Sequence, residues 1–113
     1  MNCLSLREYH PPAVEGSLRG RVNLLYMVVE TYKNQDPLPV YRRFRDHGRL
    51  APDGVRYIES WVDEKLERCF QLMEAEERGL IDEWISRWCD LVDFDVYPVI
   101  SSSKAVERIA PRL

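Results

Sequence analysis

The sequence predicts an α+β domain with the element order β-α-β-β-α-β, and three observations carry that prediction. Four segments rich in β-branched, aromatic and aliphatic residues, VNLLYMVVETY, VRYIESWV, RCFQLMEAE and DFDVYPVI, read as strands. Two stretches with helical spacing of apolar residues lie between the first and second strands and between the third and fourth. The charged connection DEKLE is too short for a parallel crossover, so the two middle strands form an antiparallel hairpin.

Bulk properties narrow the function classes. A chain of 113 residues suits one domain. Its balance of 45% hydrophobic and 31% charged residues is globular and argues against disorder. A formal net charge of -3 weighs against a nucleic-acid groove, which needs a positive field. No apolar run approaches the roughly 20 residues of a membrane span. The opening MNCLSLREYHPPAVEGSLRGR carries charges and two prolines where a signal peptide has an apolar core, so a cytoplasmic location is expected. Residues 1–21, with Pro11, Pro12, Gly16 and Gly20 and no sustained period, read as a flexible N-terminal extension to a single domain over 22–113.

The elements follow in order. In the first strand Leu25, Met27 and Val29 share one face and Tyr26, Val28 and Glu30 the other. Both faces are largely apolar, as in a strand covered on both sides. Asp36 followed by Pro37 starts a helix, with aspartate as N-cap and proline in the first turn. That helix should run to His47, with Leu38, Val40, Tyr41 and Phe44 inward and Gly48 as its C-terminal cap. Pro52, Asp53 and Gly54 supply a turn. Strict alternation in the second strand puts Val55, Tyr57, Glu59 and Trp61 on one face and Arg56, Ile58, Ser60 and Val62 on the other. In the third, Phe70, Leu72 and Glu74 oppose Cys69, Gln71 and Met73. The segment EERGLIDEWISRWCDLV is the clearest helix, with Leu80, Ile81, Trp84, Ile85, Trp88 and Leu91 in a core-facing stripe. Pro98 assigns the last strand to an edge or a bulge. Serine capping and the spacing of Ala105, Val106 and Ile109 predict one more short amphipathic helix.

This order is the ferredoxin-like, split β-α-β arrangement: a four-stranded antiparallel sheet with helices on one face. The opposite sheet face is not polar. Residues such as Tyr26, Val28, Tyr57, Trp61 and Phe70, or their alternates, point away from the helices. An apolar sheet face of this extent is usually an interaction surface. Two such sheets packed face to face give a homodimer of the dimeric α/β-barrel type. At about 25 cal/mol per Å², burying a few hundred Å² per subunit favours assembly.

The phrases PVYRRFRDHGRLAP and RCFQLME, within MVVETYKNQDPLPVYRRFRDHGRLAPDGVRYIESW, LIDEWISRWCDLVDFDVYPV and SSSKAVERIAP, resemble the bacterial family known as domain of unknown function 3303. The resemblance spans about residues 24 to 111. It implies membership of the broad dimeric α/β-barrel group, which also contains small monooxygenases, and it implies no particular activity.

Eight residues stand out as ligand-binding candidates: Glu30, Arg43, His47, Tyr57, Glu59, Trp61, Gln71 and Trp84. His47 is the one histidine within residues 22–113 and can serve as base or ligand, although a helix-end histidine in solvent has the same pattern. The run Arg42, Arg43, Arg45, His47, Arg49 is the one basic concentration; Arg43, between Tyr41 and Phe44, is the member placed to hold an anion. The plain alternative is a solvated helix face. Glu30, Glu59 and Glu74 fall late in apolar strands, where a buried carboxylate marks a site and a frayed strand end does not. Tyr26, Tyr57, Trp61, Gln71 and Trp84 fit either an aromatic cavity with one polar handle or plain core.

No Ser-His-Asp set, glycine-rich phosphate loop or cysteine-histidine zinc spacing occurs, so no cofactor and no metal are expected. The leading expectation is a homodimeric module that binds a small apolar or amphipathic ligand between sheet and helices. A cofactor-independent monooxygenase- or isomerase-like enzyme is the first alternative, with Glu30, Glu59 or His47 as base. A structural or protein-interaction subunit without a pocket is the second. Neither nucleic acid nor membrane is expected as a partner.

Overall fold

A computed structural model describes residues 23–113; the expected N-terminal extension lies outside the described residues. Strand β1 (Leu24–Tyr32), helix α1 (Leu38–His47), strands β2 (Val55–Val62) and β3 (Arg68–Ala75), helix α2 (Arg78–Ile85) and strand β4 (Val92–Val99) follow the expected order. Helix α3 (Ser102–Ile109) and a 3-10 turn at Ala110–Arg112 come after them. The strands form one antiparallel sheet in the order β2-β3-β1-β4, which is consistent with a ferredoxin-like arrangement.

The period-2 pattern of β1 decides which face is which. Tyr26, Val28, Glu30 and Tyr32 are buried, while Leu25, Met27 and Val29 are only half-covered. Tyr26 and Val28 pack with Met73 and Ala75 of β3 against Ile81, Trp84, Ile85 and Trp88, while Tyr32 packs with Cys69 and Val92 in a second cluster. On β1, therefore, the alternates of Tyr26 and Val28 make up the open sheet face. β1 is central, flanked by β3 and β4.

β2 departs from strict alternation. Tyr57 pairs with Met73, but the next paired residue is Glu59, opposite Leu72, so Ile58 is the extra residue of a bulge. One inserted residue moves everything after it to the other face. Val55, Tyr57, Ser60 and Val62 thus accompany the helix-side residues of β3, and Glu59 and Trp61 lie with Leu72 and Phe70 on the open face. The expected grouping of Tyr57 with Glu59 and Trp61 is corrected accordingly.

The two helices cover the sheet unequally. Asp36 Oδ1 accepts from the Leu38 amide at 3.0 Å, and the Gly48 amide closes α1 on the Phe44 carbonyl at 2.8 Å. Gly48 has φ +73°, a value that favours glycine. No residue of α1 is fully buried: Val40 reaches the core, whereas Leu38, Tyr41 and Phe44, expected inward, keep large exposed areas. The reason lies on α2, whose Ile81, Trp84 and Ile85 fill the centre of the helix-side face and leave α1 over its margin. α2 is regular only to Ile85, shorter than its apolar stripe suggests. Ser86 Oγ donates to the Glu83 carbonyl at 2.6 Å there, a local bond that competes with helix continuation. Turn-type bonds then carry Trp88 onto the core.

Pro98 sits on edge strand β4, where its missing amide leaves no ladder bond unmade. Ser101 Oγ caps α3 by accepting from the Lys104 amide at 3.1 Å. None of the residues of α3 is buried, and Val106 and Ile109 are exposed.

Substitution tests this division between core and periphery. Ile81→Ala should cost about 2–5 kcal/mol in urea denaturation, the range for emptying a filled aliphatic site. Val106→Ala should stay within about 0.5 kcal/mol, as for an exposed side chain.

Candidate functional site

Because α1 stands over the margin of the sheet, a cavity of about 100 Å³ remains between it and the helix-side face. Glu30 of β1 and Gln71 of β3 form its polar floor. Val40 and Phe44 of α1, Val62 of β2, and Trp84 and Trp88 form much of its apolar wall.

The sheet register brings the floor together. Glu30 lies opposite Cys69 on β3 and Phe94 on β4, and Gln71 lies opposite Val28 on β1 and Ser60 on β2. Same-face neighbours one pair apart are within reach of long side chains. Gln71 Nε2 donates to Glu30 Oε2, and Gln71 Oε1 accepts from Arg49 Nε at 2.9 Å. The amide of Gln71 therefore has both ends engaged, which fixes its orientation. Glu30 Oε1 makes no hydrogen bond among the described residues and is not sealed off from the cavity.

Arg49 is positioned by both its backbone and its side chain. Its carbonyl accepts from Trp84 Nε1 at 3.0 Å and from Trp88 Nε1 at 2.9 Å. Its guanidinium carbon lies 3.7 Å from the Tyr57 ring centroid and 5.2 Å from that of Phe44, both within cation-π range. The guanidinium thus faces the cavity with Nε committed to Gln71 and neither terminal nitrogen bonded among the described residues.

Burial dominates the electrostatics. It pushes the Glu30 carboxyl up to about 7, against the opposing pull of the Gln71 hydrogen bond and the Arg49 charge. Burial also pushes the free Cys69 thiol up to about 12, which leaves it protonated and unreactive. Tyr32 is held above the ordinary phenol range by burial and by its hydrogen bond with Tyr41.

Of the eight residues singled out in the sequence, Glu30, Gln71 and Trp84 line the cavity, and Tyr57 stacks on its arginine. Arg43 lies elsewhere: its guanidinium forks onto Asp90 at 2.8 and 2.6 Å and donates to the Arg87 carbonyl, 5.4 Å from the Trp88 ring. His47 is exposed at the end of α1. Glu59 and Trp61 are on the open sheet face, as is Glu74, which pairs with Arg56 at 2.7 Å. Sequence reasoning missed Arg49 as the site arginine, along with Tyr32, Cys69 and Trp88 as lining. The available signal was the position of Arg49 immediately after the Gly48 cap, where the chain leaves the helix and turns back towards the sheet. Among the described residues, no group of three His, Cys, Asp or Glu side chains is placed to hold a metal ion.

The raised pKa of Glu30 has a consequence for stability. The folded state holds this proton more tightly than the unfolded chain does. Its contribution is complete below about pH 4.5 and is lost as the pH rises to about 7, a change of about 3 kcal/mol. Urea unfolding across that window should show the decline, and Glu30→Gln should flatten it.

No helix among the described residues is long and apolar enough to cross a membrane. No curated protein and no solved structure matches the chain. A family model does: that of a domain of unknown function, DUF3303, over residues 24–113. The match takes in every strand and helix described above, including the segments that carry Glu30, Arg49 and Gln71, and on this ground the chain belongs to the DUF3303 family.

Proposed function

We propose that the protein binds a small amphipathic molecule in the cavity between the sheet and α1. The observation that carries this reading is Glu30. A carboxylate buried in an apolar site costs stability, and its partners Gln71 and Arg49 are themselves held in place by Tyr57, Trp84 and Trp88. An aromatic and aliphatic wall with a few converging polar atoms is the usual form of a small-ligand site. A cavity with such a floor favours this reading over that of a subunit without a pocket.

The second reading is proton-transfer catalysis at the same place. A carboxyl near 7 is matched to general acid-base work at neutral pH, and Oε1 is open to the cavity. An isomerase-type reaction would move a proton between the bound molecule and Oε1 without a cofactor. Such an enzyme would exchange a substrate C–H proton with deuterated solvent, and Glu30→Gln would lose that exchange by about 10²-fold or more.

The homodimer belongs to the proposal too. The open face carries Leu25, Met27, Val29, Trp61, Phe70 and Leu72 as a continuous apolar centre, with Trp61 half exposed. Charged residues rim this centre: Asp93 and Asp95 on the β4 edge, and Arg56, Glu59, Arg68 and Glu74 on the β2–β3 side, where Arg56 pairs with Glu74. A two-fold axis parallel to the strands lays the apolar centre of one copy over that of the other. This self-complementarity supports a second copy as the occupant.

Native mass spectrometry of gently purified protein examines both parts. A dimer carrying an extra small mass is the expected result, and Trp61→Glu should shift the population to monomer. A wild-type monomer at micromolar concentration would overturn the assembly, and no retained or added small molecule under any condition would overturn the pocket.

A further inference from the structure

The ligand class can be taken further, on the basis of the binding reading above. Arg49 combines features that rarely coincide without a purpose. Its guanidinium is clamped beside Tyr57 and Phe44, its Nε is tied to Gln71, and its backbone is pinned by two indoles. The two terminal nitrogens nevertheless have no partner among the described residues. An immobilised fork with open donors matches a planar, two-oxygen acceptor.

Size and charge limit the rest. A comparable cavity of roughly 150 Å³ holds benzene, so about 100 Å³ admits roughly four to six non-hydrogen atoms. The groups packed around Glu30 are Tyr32 from its own strand, Cys69 and Gln71 from β3, and Ser60 from β2. Phe94 faces it from β4, Tyr41 stands behind Tyr32 on α1, and the indoles of Trp84 and Trp88 complete the surround. Among the described residues, the Arg49 guanidinium is the one cation lining the cavity beside this set. With Glu30 protonated the site carries one positive charge, which a monoanion neutralises. A dianion, or a monoanion beside ionised Glu30, would leave uncompensated negative charge in an apolar enclosure.

We infer that the cavity takes a small monocarboxylate, its two oxygens on the Arg49 guanidinium and its few remaining atoms between Val40, Val62 and the indoles. The protonated Glu30 Oε1 is then a donor towards the same molecule. Carboxylate binding and protonation of Glu30 are reciprocally linked: each favours the other.

The test uses the intact protein, with propionate as probe and propionamide as its neutral counterpart. The readout is the indole N–H resonances, with Trp84 and Trp88 at the site and Trp61 on the opposite sheet face as internal control. Propionate should shift the first two saturably and leave the third unmoved. Propionamide should bind about tenfold more weakly or worse, because a guanidinium prefers an ionised acceptor. Propionate affinity should fall about tenfold between about pH 6 and about pH 8, as the carboxyl ionises through about 7. Glu30→Gln should bind propionate equally at both pH values, and Arg49→Lys should lose about tenfold with an unchanged fold.

Propionamide binding as tightly as propionate would overturn the carboxylate assignment and leave the pocket standing. Affinity that rises with pH, or equal binding of sulfate, would overturn it as well. If neither probe shifts the indoles, the carboxylate class fails, while the pocket reading is still judged on its own by native mass spectrometry. The wild-type comparison decides the matter even if a variant folds poorly.

Discussion

The carbonyl of Arg49, held by the indole N–H groups of Trp84 and Trp88, is the contact on which the rest of the site depends. Together with the bond from Arg87 Nη1 to the Leu50 carbonyl at 2.9 Å, it ties the segment between α1 and β2 to α2 and the turns that follow. Each indole must find an acceptor when buried, and one carbonyl with two lone pairs serves both. The bonds also fix where the Arg49 side chain begins. From there the guanidinium reaches Gln71, and Gln71 reaches Glu30. Losing the indole clamp would release the arginine and leave the carboxyl without its one charged neighbour among the described residues.

The cavity is a product of uneven packing. α2 buries Ile81, Trp84 and Ile85 completely or nearly so, and the sheet beneath it is filled by Val28 and Met73. α1 offers a narrower apolar stripe, interrupted by Arg42, Arg43 and Arg45, and it is drawn aside by the Arg43 fork on Asp90. A helix so anchored covers the sheet without closing onto it. The remaining space lies where the strands present Glu30 and Gln71, so the void and the polar groups coincide. An unlined polar floor under a packed helix would be costly; under a cavity it stays accessible to solvent or ligand.

Much of this was legible in the sequence, and the limits have physical causes. Strand order, the hairpin, the Gly48 cap and the Ser101 cap follow from local chemistry that acts over a few residues. Glu30 stood out because a carboxylate in an apolar strand is conspicuous, and Gln71 and Trp84 fell on the correct faces by simple periodicity. The bulge at Ile58 was not legible, since alternation continues unbroken through VRYIESW and only the pairing with β3 reveals the extra residue. That one insertion removed Glu59 and Trp61 from the helix side. Arg43 and Arg49 could not be told apart either. Both are arginines in the same basic run, and the choice between them rests on partners 44 residues or more away for the one and on Gln71 for the other.

The two faces of the sheet are not independent. Along β1, Val29 of the open face is followed by Glu30 of the cavity; along β3, Phe70 lies between Cys69 and Gln71; along β2, Trp61 lies between Ser60 and Val62. Val29, Trp61, Phe70 and Leu72 of the proposed interface are therefore each bonded through the backbone to a residue of the site. Strands in a sheet move as units, because a shift of one alters the ladder hydrogen bonds of its neighbours. Packing a second copy against Val29, Phe70 and Trp61 would stiffen the three strands whose other faces carry Glu30, Gln71 and Ser60. The β2 bulge makes this coupling possible, since strict alternation would have placed Trp61 and Tyr57 on the same side. With Ile58 inserted, Tyr57 holds the arginine and Trp61, four residues later in the chain, is free for the interface.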